Sequence, residues 1–246
     1  MKFTLAEPKY LKDSIGIISD LVNEVRFKVD KDKIEIVAMD PANVAMIIFK
    51  LLSSAFVDYD VKEPIEIAVS LDNLKQILRR AKPSDILKVE LDDKNNRLNI
   101  ELGNRVFNLS LIDIEEREQK IPDLKFPAKI EMSTVIFDEA IEDMDVVSDA
   151  VLFEVSPEKF IIQATGNVSE GRVEIGKDEN TSIELGTKDN LKAKYSIEYL
   201  KKIIKGSKLS DRVNIWFNKD YPLKIEYKVL DKLSFSVILA PRVENI

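Results

Sequence analysis

The chain repeats itself. Segment 26–40, RFKVDKDKIEIVAMD, lies over 152–166, LFEVSPEKFIIQATG, at an offset of 126, so that Phe27 meets Phe153, Val29 meets Val155, Lys33 meets Lys159, Ile36 meets Ile162 and Ala38 meets Ala164. The same offset lays 69–91 over 195–217, where Ser70, Leu74, Lys75, Ile77, Lys82, Ser84 and Asp85 meet identical residues. Farther on the register slips by one, and Leu98, Ile100 and Glu101 face Leu223, Ile225 and Glu226. One offset shared by two separated windows makes the chain two copies of one unit, so any fold for it has to be built twice.

Each copy has the same order of signals. A helical pattern near 9–25, and again near 136–150, is followed by period-two runs such as KIEIVAM and VAMIIFKL. A second helix near 71–82, and again near 197–208, leads into two more strands, LKVEL and LNIEL in one copy, VNIWF and LKIEY in the other. Residues 113–127 are charged, aperiodic and hold two prolines, which predicts an extended surface linker. The expected organisation is α+β: repeat 1 over 1–112, the linker over 113–127 and repeat 2 over 128–246, with two helices per repeat packed on one face of antiparallel sheets.

Composition narrows the chemistry. Neither cysteine nor histidine is present, which removes disulfides, thiolate nucleophiles, the usual zinc sites and a histidine general base. Gly171-Arg-Val-Glu-Ile-Gly176-Lys177-Asp178 approaches a phosphate-binding loop, but Asp178 stands where Ser or Thr would ligand magnesium, and the stretch alternates like a strand. No apolar run approaches the length that spans a bilayer, and no basic start precedes an apolar stretch, so a cytoplasmic protein without membrane partners is expected. The reading assigns no catalytic residue, metal or cofactor.

Charge is distributed unevenly. The chain carries −7 overall, yet the second helix of each copy is basic. Lys75, Arg79, Arg80 and Lys82 stand against Asp72 in one, and Lys201, Lys202, Lys205 and Lys208 against Glu198 in the other. With Leu71, Leu74, Ile77 and Leu78, or Ile197, Leu200, Ile203 and Ile204, as the buried stripe, Lys75, Arg79 and Lys82 point outward, at positions matching Lys201, Lys205 and Lys208. A single such helix is ordinarily a solvated face; the same face twice, on an acidic chain, predicts a polyanion surface. The helix near 136–150 is expected to expose Asp138, Glu142, Asp145 and Asp149, flanked by Glu139 and Asp143, which would repel phosphate. No aromatic residue is read as interleaving with the cations, so phosphate contact that is weak, sequence-blind and salt-sensitive is expected rather than base stacking.

Four stretches carry a family resemblance. They are Met39-Asp-Pro-Ala-Asn-Val44-Ala-Met46, residues 195–205, Asp220-Tyr-Pro222-Leu-Lys-Ile-Glu-Tyr227 and the closing Leu239-Ala-Pro-Arg-Val-Glu244. Together they resemble the DNA sliding clamps of the proliferating cell nuclear antigen family, in particular its archaeal members, across the whole chain. The resemblance implies a closed trimeric ring of six repeats, sheets outside and helices lining a hole for duplex DNA, acting as a processivity factor. It implies DNA-facing positions at Lys12, Gln76, Arg79 and Lys205, with Lys75, Lys82, Lys201, Lys202 and Lys208 as neighbours. It implies a pocket for a partner peptide with a Gln and aromatic anchors at Met39, Val44, Met46, Ile121, Pro122, Pro222, Ile238, Ala240 and Pro241, with the tail 243–246 adding a strand. DNA polymerase, clamp loader, flap endonuclease and DNA ligase are the implied partners. Subunits would join through a strand bearing Val106, Asn108 and Ser110 and an edge bearing Arg172, Glu174 and Lys177. Asn43 and Ile238 depart from the family's common residues. Two other readings remain open at this point: a subunit of a heteromeric clamp, and a metal-dependent nuclease built on carboxylates such as Asp138 and Glu142.

Overall fold

A computed structural model describes residues 1–115 and 119–242. The chain divides into two compact units: Met1–Pro41, Ile47–Lys120 and Val229–Phe235 form the first, and Ala42–Met46, Ile121–Lys228 and Ser236–Ile246 the second.

The first unit contains β1 (Lys2–Leu5), α1 (Lys9–Ile18), β2 (Glu24–Val29), β3 (Lys33–Met39), most of β4 (Ala45–Leu52), β5 (Asp58–Asp60), β6 (Ile65–Ser70), α2 (Leu71–Leu78), β7 (Leu87–Asp92), β8 (Arg97–Leu102) and β9 (Arg105–Ser110). The second contains β10 (Ala128–Ser133), α3 (Thr134–Asp145), β11 (Ala150–Val155), β12 (Lys159–Thr165), β13 (Glu170–Gly176), β14 (Ser182–Leu185), β15 (Leu191–Ser196), α4 (Ile197–Ile203), β16 (Arg212–Phe217), β17 (Leu223–Val229) and β18 (Leu233–Leu239). The last is completed by residues 236–239, while 233–235 belong with the first unit.

The two units share one strand plan. In the first, β5-β1-β7-β8-β9 form one antiparallel array and β4-β3-β2-β6 another; in the second, β14-β10-β16-β17-β18 and β13-β12-β11-β15 take the equivalent places. Strand alternation sets which side is core: β2, β3 and β8 read exposed or half-buried, then buried, residue by residue. Arg97↔Ser110 through Leu102↔Arg105 fix the β8–β9 register, closed by a two-residue turn with Gly103 at φ 62°, the pattern in which glycine takes the first central place. The helices lie side by side in pairs, α1 against α2 and α3 against α4. Their apolar stripes, Leu11, Ile15 and Ile18 in α1 and Phe137, Ile141 and Met144 in α3, are buried.

Helix limits differ from the sequence reading. The helix expected over 9–25 ends at Ile18, because Asp20–Val22 bond back into a tight turn while still burying Leu21 and Val22, which mimics helical periodicity. The helix expected over 136–150 starts at Thr134 and stops at Asp145. Those expected over 71–82 and 197–208 stop at Leu78 and Ile203, the latter continuing as a 3-10 turn, Ile204–Lys208. The described linker residues form no regular element; 116–118 lie outside the described residues.

Candidate functional site

The basic residues of α2 are built on a well-defined helix. Ser70 stands before it in extended backbone and its hydroxyl accepts the Asn73 N–H, while Asp72 places an acid in the first turn. Leu71, Leu74 and Leu78 anchor the helix in the core, so Gln76, Arg79 and Arg80 are exposed, as is Lys82 just beyond. Lys75, expected to face outward, instead pairs with Asp20 at 3.0 Å, both side chains about three-quarters buried. Lys12 donates its Nζ to the Ala81 carbonyl at 3.0 Å, a bond across the α1–α2 crossing. Arg105, which the sequence reading passed over, supports the same corner: it donates to the Arg80 carbonyl at 2.8 Å and pairs with Asp85. The Lys82 N–H and then Arg105 hold the Asp85 carboxyl below the usual carboxylate range.

In the second unit Lys205 and Lys208 are exposed on the 204–208 turn. Lys201 pairs with Asp145 of α3 at 2.5 Å, and Lys202 pairs with Glu198 at 3.1 Å and lies 5.3 Å over the Tyr199 ring. Both contacts correct the sequence reading. An aromatic does stand among these cations, and two of them are engaged. Surface pairs of this kind contribute well under about 1 kcal/mol, so a phosphate can compete for them.

The acidic α3 is also not the uniformly solvated face expected of it. Glu139, Glu142, Asp143 and Asp145 are exposed, but Asp138 is half-buried, accepts the Ser207 hydroxyl, and has its Oδ1 enclosed without a hydrogen-bond partner. Burial, and then the like charge of Glu142, push its carboxyl up to about 6 against the opposing Ser207 bond. Beneath it lies Tyr227, fully buried, whose hydroxyl is raised well above its ordinary value by that burial and by the Asp138 charge. Among the described residues no group of three or more His, Cys, Asp or Glu is placed to hold a metal ion.

The residues implied for a partner pocket fall mostly in the second unit. The Ala240 N–H donates to the Val44 carbonyl at 2.9 Å, joining the 42–46 segment to the C-terminal stretch. Met46 and Ile238 are core residues, 5% and 8% exposed, so the surface here is offered by Val44, Pro222, Ala240, Pro241 and the exposed Ile121 and Pro122. Met39 ends β3 of the first unit and is half-buried. Sequence reasoning missed Phe126 and Tyr221, whose rings meet edge to face at 6.0 Å, with the Tyr221 carbonyl held by the Tyr195 hydroxyl at 2.8 Å. It also missed Arg242, which pairs with Asp149 at 2.8 Å while its N–H donates to the Lys194 carbonyl. The expected tail strand, 243–246, lies outside the described residues.

The positions implied for subunit contact sit on strands at the ends of their arrays. Val106, Asn108 and Ser110 are exposed on β9, beyond which its array has no further strand among the described residues. Arg172 and Glu174 are exposed on β13, likewise terminal, while Lys177 falls one residue past that strand.

Family models settle the relationship. The model of the proliferating cell nuclear antigen N-terminal domain matches residues 1–119, and that of the C-terminal domain matches 120–242. The chain belongs to the proliferating cell nuclear antigen family. A DNA polymerase sliding clamp of Nanoarchaeum equitans is 35% identical over 98% of this chain and 99% of its own length. One from Pyrococcus furiosus is 35% identical over 94% of each. Among solved structures, the proliferating cell nuclear antigen of Thermococcus kodakaraensis superposes with a TM-score of 0.91 at 28% identity, covering 98% of this chain and 99% of that one. Sliding-clamp architecture in this family, α+β repeats with paired helices, therefore accounts for the whole chain. No helix is long and apolar enough to cross a membrane.

Proposed function

We propose that this chain is one subunit of a closed trimeric clamp that encircles duplex DNA and tethers DNA polymerase to it as a non-catalytic processivity factor. Repeats 1–112 and 128–246, joined by the linker 113–127, are its functional divisions, and it acts in the cytoplasm on the nucleoid.

The observation that carries the reading is the pair of terminal strands, β9 and β13, and the helices packed beside them. An unpaired edge invites another strand. α2 lies against β9 with Arg79 and Arg80 exposed, and α3 lies against β13 with Glu139, Glu142 and Asp143 exposed. Pairing β9 of one copy with β13 of the next brings a basic helix beside an acidic one. That gives the acid on α3 a role other than facing DNA. Such a head-to-tail contact closes when the rotation per copy divides a full turn. Light scattering of the purified chain tests it, with about three chains per particle expected. Glu139→Lys combined with Asp143→Lys is expected to release monomers, and a ring untouched by that double change refutes the charge pairing. A monomer that enters rings only with other clamp chains would instead mark a heteromeric subunit.

The duplex-facing surface is then Lys12, Gln76, Arg79, Lys82, Lys201, Lys202, Lys205 and Lys208, with Lys75 held behind it by Asp20. Its contact with DNA is sequence-blind and weakens with salt. Partner proteins, among them polymerase, clamp loader, flap endonuclease and ligase, dock a short Gln-and-aromatic peptide at Val44, Ile121, Pro122, Pro222, Ala240 and Pro241 beside Met46 and Ile238. Calorimetry with such a peptide should give micromolar affinity, about −8 kcal/mol. Ile121→Asp should abolish it without changing particle mass.

A further inference from the structure

The repeat places opposite charges at one crossing. Asp138 of α3 occupies the position that Lys12 occupies in α1, and Ser207 the position of Ala81, both at the offset of 126. In the first unit the Lys12 ammonium donates to the Ala81 carbonyl. In the second, the Ser207 hydroxyl donates to the Asp138 carboxylate. Both bonds fasten the first helix of a unit to the end of the second, but one leaves a cation beside the turn and the other an anion.

The anion is poorly accommodated. Its Oδ1 is enclosed with no hydrogen-bond partner. Gly206 brings the turn's backbone against the Tyr227 ring, so closely that a Cβ there would come within 2.3 Å of it, and this leaves no room for the turn to withdraw toward that ring. The charged group bearing on Asp138 along α3 is Glu142, a like charge, and on β17 the facing group is the Tyr227 hydroxyl. Cations on the neighbouring elements are largely engaged: Lys201 of α4 by Asp145, Lys202 by Glu198, Arg212 of β16 by Glu131 of β10, Lys159 of β12 and Arg172 by Glu174 of β13, and Lys192 of β15 by Glu154 of β11. Lys205 and Lys208, exposed on either side of Ser207, are the cations of the same turn.

We infer that Asp138 is a proton-binding site coupled to DNA: duplex contact at Lys205 and Lys208 draws a proton onto its carboxyl, so that the second repeat grips duplex more tightly as the medium acidifies. This rests on the clamp reading above. A phosphate brought to Lys205 and Lys208 repels the carboxylate, which already lacks a partner for one oxygen. A carboxyl that is half protonated at about 6 needs only a small further push to bind a proton at neutral pH. The neutral acid can then donate a hydrogen bond where the anion could only accept.

Fluorescence anisotropy of the full chain with a short synthetic duplex at low salt, from pH 7.5 to 5.5, tests the coupling. Wild type should tighten about fivefold as one like-charge repulsion is removed. Asp138→Asn should bind at pH 7.5 as wild type does at pH 5.5 and show a flat profile. Glu142→Gln removes the same charge from an exposed position and should keep the slope, with its midpoint at lower pH because Glu142 helps hold the Asp138 carboxyl up. A wild-type slope in Asp138→Asn, or a slope lost equally in Glu142→Gln, overturns the coupling. Should Asp138→Asn fail to fold, the carboxyl 13C shift of Asp138 in wild type reads the same quantity: its midpoint must rise when duplex is added, and a midpoint that stays put overturns the coupling. Wild type that binds no duplex at any pH sinks the clamp reading and the coupling with it, whereas binding with an unaltered slope sinks the coupling alone.

Discussion

Around Phe153 in the second repeat stand Phe137, Phe160, Tyr195 and Phe217, with ring centroids 5.2–6.2 Å from it. The equivalent neighbours of Phe27 in the first repeat are Leu11, Ile34, Val69 and Leu91. The smaller side chains leave an apolar cavity of about 30 Å³ lined by Leu11, Phe27, Ile34, Leu74, Val89 and others, with no polar surface to hold water. At this position the same strand plan is thus held by an aromatic cluster in one unit and by aliphatic side chains around a single ring in the other, whose own ring cluster is Phe3, Phe56 and Tyr59. Volume and pattern specify the fold; the choice of ring or branched chain decides how firmly each unit holds it. Lys12 and Asp138 carry the same lesson at the helix crossing, where the geometry is kept while the charge is inverted.

The largest expected effect comes from the aromatic hub. Phe153→Ala should cost about 3–5 kcal/mol in guanidinium unfolding, near the top of the range for buried aromatics, and Phe27→Ala clearly less because its surroundings are already slack. A greater loss at Phe27 would break the comparison. Next is Gly206→Ala, whose methyl meets the Tyr227 ring and should cost about 1–3 kcal/mol as overpacking. The equivalent Arg80, exposed, should tolerate alanine within about 0.5 kcal/mol.

Asp138→Asn should stabilise the second repeat at neutral pH by no more than about 1 kcal/mol, once solvent screening of a half-exposed group is allowed for. The sign follows from a carboxyl held above its ordinary 3.8 in the folded state: folded chain binds the extra proton, so stability falls as pH rises from about 4 through about 6 and is level beyond. Thermal melts should therefore show the Asn variant ahead above pH 6 and level with wild type near pH 4. A gain independent of pH would point to packing, not charge. Smallest is Ile34→Phe, which copies the Phe160 position and fills the cavity, for a gain of about 0.7 kcal/mol or less at roughly 24 cal/mol per Å³. A loss would mean that the cavity is too narrow for a ring.

The repeat was legible through self-similarity at one offset, and the longer strands and all four helices through local periodicity, whereas short strands such as β1, β5 and β14 offer too few residues for a period to show. Helix ends were not: Leu21 and Val22 keep the helical spacing after the backbone has turned. Cations were identified by type but not by partner, since Lys75 meets Asp20, Lys12 meets Ala81 and Lys201 meets Asp145 only after the helices pack. Asp138 was assigned to solvent because a wheel drawn on α3 alone does not contain Gly206, the one residue type that lets the 204–208 turn close over it. Met46 and Ile238 were assigned to a pocket by resemblance, and burial turns them into its floor.

Residues 229–235 complete the first unit although they lie near the end of the chain. The Leu52 N–H donates to the Lys232 carbonyl, Ser54 to that of Asp231, and the Lys232 ammonium pairs with Glu7 at 3.1 Å. During synthesis the amino-terminal half therefore waits for its closing segment while the other half is made, roughly 10 s at ribosomal speed. The closing segment of the first unit, 229–235, is made just ahead of that of the second, 236–246, so the two units are completed almost together, and a ribosome stalled after residue 120 would hold an unfinished repeat.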